Sequence, residues 1–182
     1  MVAKHAVSCC WTSYVTNCGL HRGVAADAMV WAPQGVVSIV GLRSGFELRG
    51  GRPGHTTLVH SASVLPAREL NVVRLHLGSG SRLAVSVTMT CLHTVMGRKP
   101  GQSQPHPMLA FEVRQHDFVR TPGCDLIVIK VEHNVVIKAV VEVQLEDREG
   151  TFFTGGLDID PLYFVEVRGI STQMSRCLCT GV

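Results

Sequence analysis

Aromatic residues make up only 5% of this 182-residue chain, so a folded core cannot rest on stacked rings and must be built from aliphatic side chains. Clustered positive charge is equally absent. The net charge of +3 is spread thinly, and no basic run is interleaved with aromatics, which argues against a nucleic-acid partner. No apolar run reaches the roughly 18 residues that a membrane helix needs, and AVSCCWTSYV near the N-terminus is too short and too polar for a signal peptide. No membrane span is expected. The seven cysteines include no CxxC pair matched to a second pair or to histidines at zinc spacing, so neither a structural zinc site nor a disulfide framework is indicated. His21, His55, His60, His76, His106 and His116 are scattered along the chain, and TGGLDIDP (154–161) lacks the ligand spacing of a calcium loop and reads as a turn. No metal or cofactor is expected. Amphipathic helical periods longer than a turn or two are missing as well.

What is present is a chain 46% hydrophobic and rich in valine, the composition of many strands packed through branched aliphatics. The length suits one well-cored domain. Residues 1–22 show no clear period and read as an N-terminal appendage, 23–170 as the domain, and 171–182 as a tail. MVWAPQGVVSIVGL reads as a hairpin turning at Pro33 to Gly35, and ELNVVRLHLGSGSRLAVSVTMTCLH as strands with a turn at Gly78, Ser79 and Gly80. Residues 96–107 have the Pro, Gly and Gln content of an exposed excursion that divides two β-rich parts. AFEVRQHDFV, CDLIVIKVEHNVVIKAVVEVQLE and LYFVEVRGIS supply the remaining strands.

Chemistry is expected where the apolar run SVTMTCLHTVM places Thr90 and His93 just past a strand with Leu83, Val85, Val87 and Met89 at period two. A sheet holds such residues rigidly while a loop exposes them. Histidine suits proton transfer near neutrality, and a threonine hydroxyl can orient a carbonyl.

The order of these pieces resembles a Hint module, the self-processing domain of hedgehog proteins and inteins. GVAADAMVWAPQGVVSIVGLRSGFEL (23–48) resembles the opening block, TCLH (90–93) matches the TxxH signature, and AFEVRQHDFV (110–119) resembles the segment introducing the second half, with His116-Asp117 at its Gly-Asp turn. The resemblance implies an all-β, horseshoe-like fold with pseudo-twofold halves. It also implies autoprocessing, in which the opening cysteine attacks the preceding carbonyl, Thr90 and His93 assist, and the substrate is the chain's own N-terminal flanking polypeptide.

One departure decides what to expect of function. The alignment puts the nucleophile position at Gly23 and its neighbouring phenylalanine at Val24, and glycine has no side chain with which to begin an acyl shift at the Arg22-Gly23 peptide. Cys18 is the nearest substitute upstream, and the first Gly-Asp turn has become Gly45-Phe46. His133-Asn134 is followed by Val135 and further strands, so it reads as a turn and splicing is not expected. The expected function is therefore a Hint-like domain impaired or inactive in self-cleavage. Two alternatives stand beside it. His93, Asp125 and Cys177 or Cys179 follow the chain order of a chymotrypsin-like cysteine protease, although no glycine flanks Cys177 to build an oxyanion hole. The chain could equally be a non-catalytic β-rich binding module.

Overall fold

The computed structural model describes residues 21–67, 70–79 and 82–171; residues 1–20 and 172–182, with Cys9, Cys10, Cys18, Cys177 and Cys179, lie outside the described residues. The strands in chain order are β1 (Val24–Ala25), β2 (Met29–Ala32), β3 (Gly35–Ser38), β4 (Glu47–Arg49), β5 (Thr56–Pro66), β6 (Val72–Ser79), β7 (Arg82–Thr90), β8 (Thr94–Arg98), β9 (His106–Leu109), β10 (Phe118–Val119), β11 (Leu126–His133), β12 (Ala139–Leu145), β13 (Thr151–Gly155), β14 (Val165–Arg168) and β15 (Ile170–Ser171). Short 3-10 turns at Ile39–Gly41, Ala110–Glu112 and Pro161–Tyr163 are the helical elements among the described residues. The all-β expectation holds. Pairing is antiparallel throughout except where β15 lies parallel to β12.

Two halves repeat one plan. In the first, the hairpin β2–β3 leads into the 3-10 turn at Ile39–Gly41, a left-handed residue at Gly45 (φ 79°), then β4 and β5. In the second, β8–β9 leads into the turn at Ala110–Glu112, a left-handed residue at His116 (φ 73°), then β10 and β11. Backbone bonds match: Ile39 N–H donates to Ala28 O as Ala110 N–H does to His93 O, and Val59 N–H donates to Phe46 O as Val128 N–H does to Asp117 O. The halves then exchange strands, because β5 pairs with β12 and β11 with β6. Strands of both halves thus join in one sheet.

The core follows the period-two pattern. Leu75 and Leu77 of β6, Val85, Val87 and Met89 of β7, Leu126 and Val128 of β11, and Val141 and Val143 of β12 are buried, with Phe152 and Phe164 the large side chains among them. Each buried Val or Leu contributes about 1.5–3 kcal/mol of hydrophobic stabilisation before entropy is counted. Valine suits this sheet because its branched Cβ is already restricted and packs on a pleated surface.

Three local expectations shift. The stretch 96–107 is the closing part of the β8–β9 hairpin, since Met96–Arg98 and His106-Pro107 carry strand pairing and the exposed excursion shrinks to 99–105. AFEVRQHDFV contributes only β10 as strand; Ala110–Glu112 is a 3-10 turn and His116 turns the chain, because buried Asp117 accepts a bond from Arg114 N–H (2.7 Å) and fixes a turn there. The β6–β7 hairpin closes between paired Ser79 and Arg82, later than expected, with a register shift at Leu77/Gly78 taking up Gly78 into the strand. The Pro33-Gln34 turn does join β2 to β3, with Gly35 at φ 128°.

Candidate functional site

β1 is two residues long, yet its placement makes the site. It lies between β7 and β12, with Val24 opposite Met89 on one side and Val141 on the other. The chain entering β1 is thus threaded between the end of the Thr90 strand and the middle of β12. Thr90 N–H donates to Gly23 O (2.9 Å), and Gly23 N–H donates to Thr90 Oγ1 (3.0 Å), so one threonine grips the glycine through both main chain and side chain.

His93 is carried by a turn after β7, held by bonds from His93 N–H to Thr90 O (3.0 Å), Cys91 N–H to Asn71 O (3.0 Å) and Phe111 N–H to Cys91 O (3.0 Å). The second half of the molecule therefore clamps this turn through Ala110 and Phe111. Thr90 and His93 are both buried. Cys91 between them is disulfide-bonded, whereas Cys124 is free and exposed.

The His93 ring nitrogens are buried and have no well-aligned hydrogen-bond partner among the described residues. Its pKa falls from 6.5 to about 3: burial disfavours the imidazolium most, the Arg22 charge adds to this, and a contact with the Arg22 main chain opposes both. The ring is therefore neutral at physiological pH and stands against the residue that precedes Gly23. Neutral imidazole has one N–H and one free lone pair, so it can pass a proton without a standing charge.

Glu142 is the residue that sequence reasoning missed. It projects from β12, and its Oε1 accepts from Arg22 N–H (3.2 Å) and is hydrogen-bonded to His21 Nδ1 (2.9 Å). Within the run AVVEVQL it is an ordinary polar position of an alternating strand, and nothing local marks it. The Arg22-Gly23 peptide is thus bracketed by Glu142, Thr90 and His93.

Space at Gly23 is restricted. A Cβ added there would lie 3.0 Å from Val141 O and 3.1 Å from both Cβ and Cγ2 of Val140, closer than such atoms ordinarily approach. The positions grouped for a protease do not assemble in this way. Asp125 Oδ2 accepts from Arg98 Nε (2.8 Å), it makes no hydrogen bond to His93, and Cys177 and Cys179 lie outside the described residues. Asn134 occupies a left-handed turn (φ 56°) after β11. Among the described residues no group of His, Cys, Asp or Glu is arranged to hold a metal ion, and no helix is long and apolar enough to cross a membrane.

The fold, with its duplicated plan and exchanged strands, is the Hint type found in intein splicing domains. An intein-like domain from Clostridium thermocellum superposes with a TM-score of 0.62 at 17% identity, covering 83% of this chain and 100% of that one. The MchDnaB-1 intein gives 0.61 at 15% identity over 80% of this chain and 99% of its own, and the gp41-1 intein 0.60 at 10% over 82% and 99%. No family model and no curated protein sequence matches the chain.

Proposed function

We propose that residues 23–170 are a Hint-like domain that keeps the peptide-gripping half of an autoprocessing site and lacks its nucleophile, so that the N-to-S acyl shift and self-cleavage do not begin. The observation that carries this reading is the pair of hydrogen bonds between Thr90 and Gly23, which brings the Arg22-Gly23 peptide to the TxxH residues across 67 positions of sequence. Thr90 fixes the amide of that peptide, and neutral His93 stands where it would serve the leaving nitrogen once a nucleophile is supplied. Glu142 positions the upstream residue through Arg22 N–H. With a nucleophile supplied, the substrate is the chain's own N-terminal flank. At Gly23 no thiol or hydroxyl is available to form the ester.

The test restores the missing atom. The parent chain with an N-terminal fusion keeps its intact mass in the presence of thiol or hydroxylamine. In Gly23→Cys the new Sγ attacks the Arg22 carbonyl, the C–N bond breaks as nitrogen gains a proton, and added thiol then releases the fusion after Arg22. Val140→Ala removes Cγ2, one of the three atoms that crowd this Cβ, so Gly23→Cys/Val140→Ala is the variant expected to cleave faster. A folded double variant that stays inert to thiol overturns the assignment of Gly23, and cleavage of the parent overturns the claim that the site is disabled.

A further inference from the structure

The loop Gly50-Gly51-Arg52-Pro53-Gly54-His55 has no part in the Arg22-Gly23 site, yet it walls a separate cavity of about 550 Å³. The volume lies within the 300–1,000 Å³ typical of small-ligand sites. The opposite walls come from the β12–β13 turn, from Arg120, and from Glu166 and Arg168 of β14.

The interior is polar and tightly built. Glu166 is 2% exposed; its Oε1 accepts from Thr151 Oγ1 (2.6 Å), and Arg120 Nε stands 3.3 Å from Oε2 without an alignment that makes a hydrogen bond. Thr151 Oγ1 also accepts from Gly51 N–H (3.0 Å), while Arg120 donates to Gly51 O (3.0 Å), so the glycine loop is stitched to the cavity wall. Thr57 lines the same space, 8% exposed, with a buried hydroxyl that has no partner. Leaving such groups unsatisfied costs about 1–3 kcal/mol each.

Spare guanidinium donors line the space. Arg52 has no side-chain partner among the described residues, and Arg168 is paired there only with Glu149, whose side chain is 83% exposed, a contact worth little in water. The cavity therefore presents guanidinium donors beside two buried oxygens that still accept. Glu166 Oε2 has only the poorly aligned ion pair with Arg120, and an anion without donors would leave Thr57 Oγ1 unsatisfied.

The geometry points to a binding site for a small organic anion that carries a hydroxyl or amino group near its acidic group. Arg52 and Arg168 take the phosphate or carboxylate, and Thr57 with Glu166 takes the neighbouring donor. The 182-residue chain is titrated, at a pH where phosphate monoesters are dianions, with glycerol 3-phosphate, propyl phosphate, lactate and propionate, followed by amide NMR shifts. Binding at about 1 mM or tighter is expected, with shifts at the cavity residues. Each donor-bearing anion binds about fivefold more tightly than its donor-less counterpart, the ratio that one net hydrogen bond provides. Which acid class binds better separates phosphate from carboxylate recognition.

Arg52→Ala/Arg168→Ala is expected to lose about tenfold or more, as removal of charge-assisted bonds requires, and Thr57→Val to keep binding while losing part of the fivefold preference. Both leave the Glu166-Thr151-Arg120 wall intact, and the amide spectrum reports directly that the variants are folded. No cavity shifts with any of the four compounds, shifts indifferent to the double substitution, or equal affinity for the paired anions in the parent would each overturn the proposal.

Discussion

His93 makes acid sensitivity of folding a direct readout of the site. Its folded pKa is about 3 against 6.5 for the free side chain, and the ring is fully buried. The sign follows from proton counting. Below pH 6.5 the unfolded chain takes up a proton at His93 and the folded chain does not, so the contribution of this residue to stability falls as pH drops from 6.5 and stops falling below about 3. Between pH 7 and about 5 the loss amounts to about 2 kcal/mol, a large fraction of the 5–15 kcal/mol that holds a typical domain together. Urea unfolding of the parent and of His93→Gln at both pH values isolates the effect, because every other titrating group is common to the two proteins. The difference in unfolding free energy between pH values should be about 2 kcal/mol larger for the parent. Parallel pH profiles for the two proteins would refute a buried, neutral His93.

Three further outcomes are expected. Thr90→Val leaves Gly23 N–H buried without its acceptor and should lower stability by about 1–3 kcal/mol in thermal or chemical unfolding, while Thr90→Ser retains most of it. Gly51→Ala should be among the most damaging single changes, because its Cβ would collide with Glu166 Oε1 and displace a buried carboxylate from Thr151 and Arg120; a loss of about 3 kcal/mol or more, or failure to fold, is expected. His116→Gly relieves a left-handed residue at φ 73° and should raise stability by about 0.5–1 kcal/mol, observed as an upward shift of the unfolding midpoint.

Much of the fold was legible because strand information is local. The alternation of Leu75 and Leu77, or of Val85, Val87 and Met89, states which face is buried wherever the strand is placed. The Pro33-Gln34 turn was visible for the same reason, since turn chemistry lies in adjacent residues. Segments governed by one distant or buried contact were misread, as at AFEVRQHDFV, where Asp117 organises a turn inside a strand-like composition and is held from outside by Lys99 Nζ (2.7 Å).

The sequence by itself determined that this chain is built of valine-rich strands, that Thr90 and His93 end one of them, and that Gly23 brings no nucleophile. Only the tertiary structure decided that Gly23 lies against Thr90, that Glu142 reaches the residue before it, that burial keeps His93 neutral, and that Val141 O and the Val140 side chain crowd any Cβ at position 23. The physical reason is that β1 makes no site alone. Its pairing partners, β7 and β12, meet only when the two halves exchange strands, and both the burial that neutralises His93 and the crowding at Gly23 are properties of that assembled sheet.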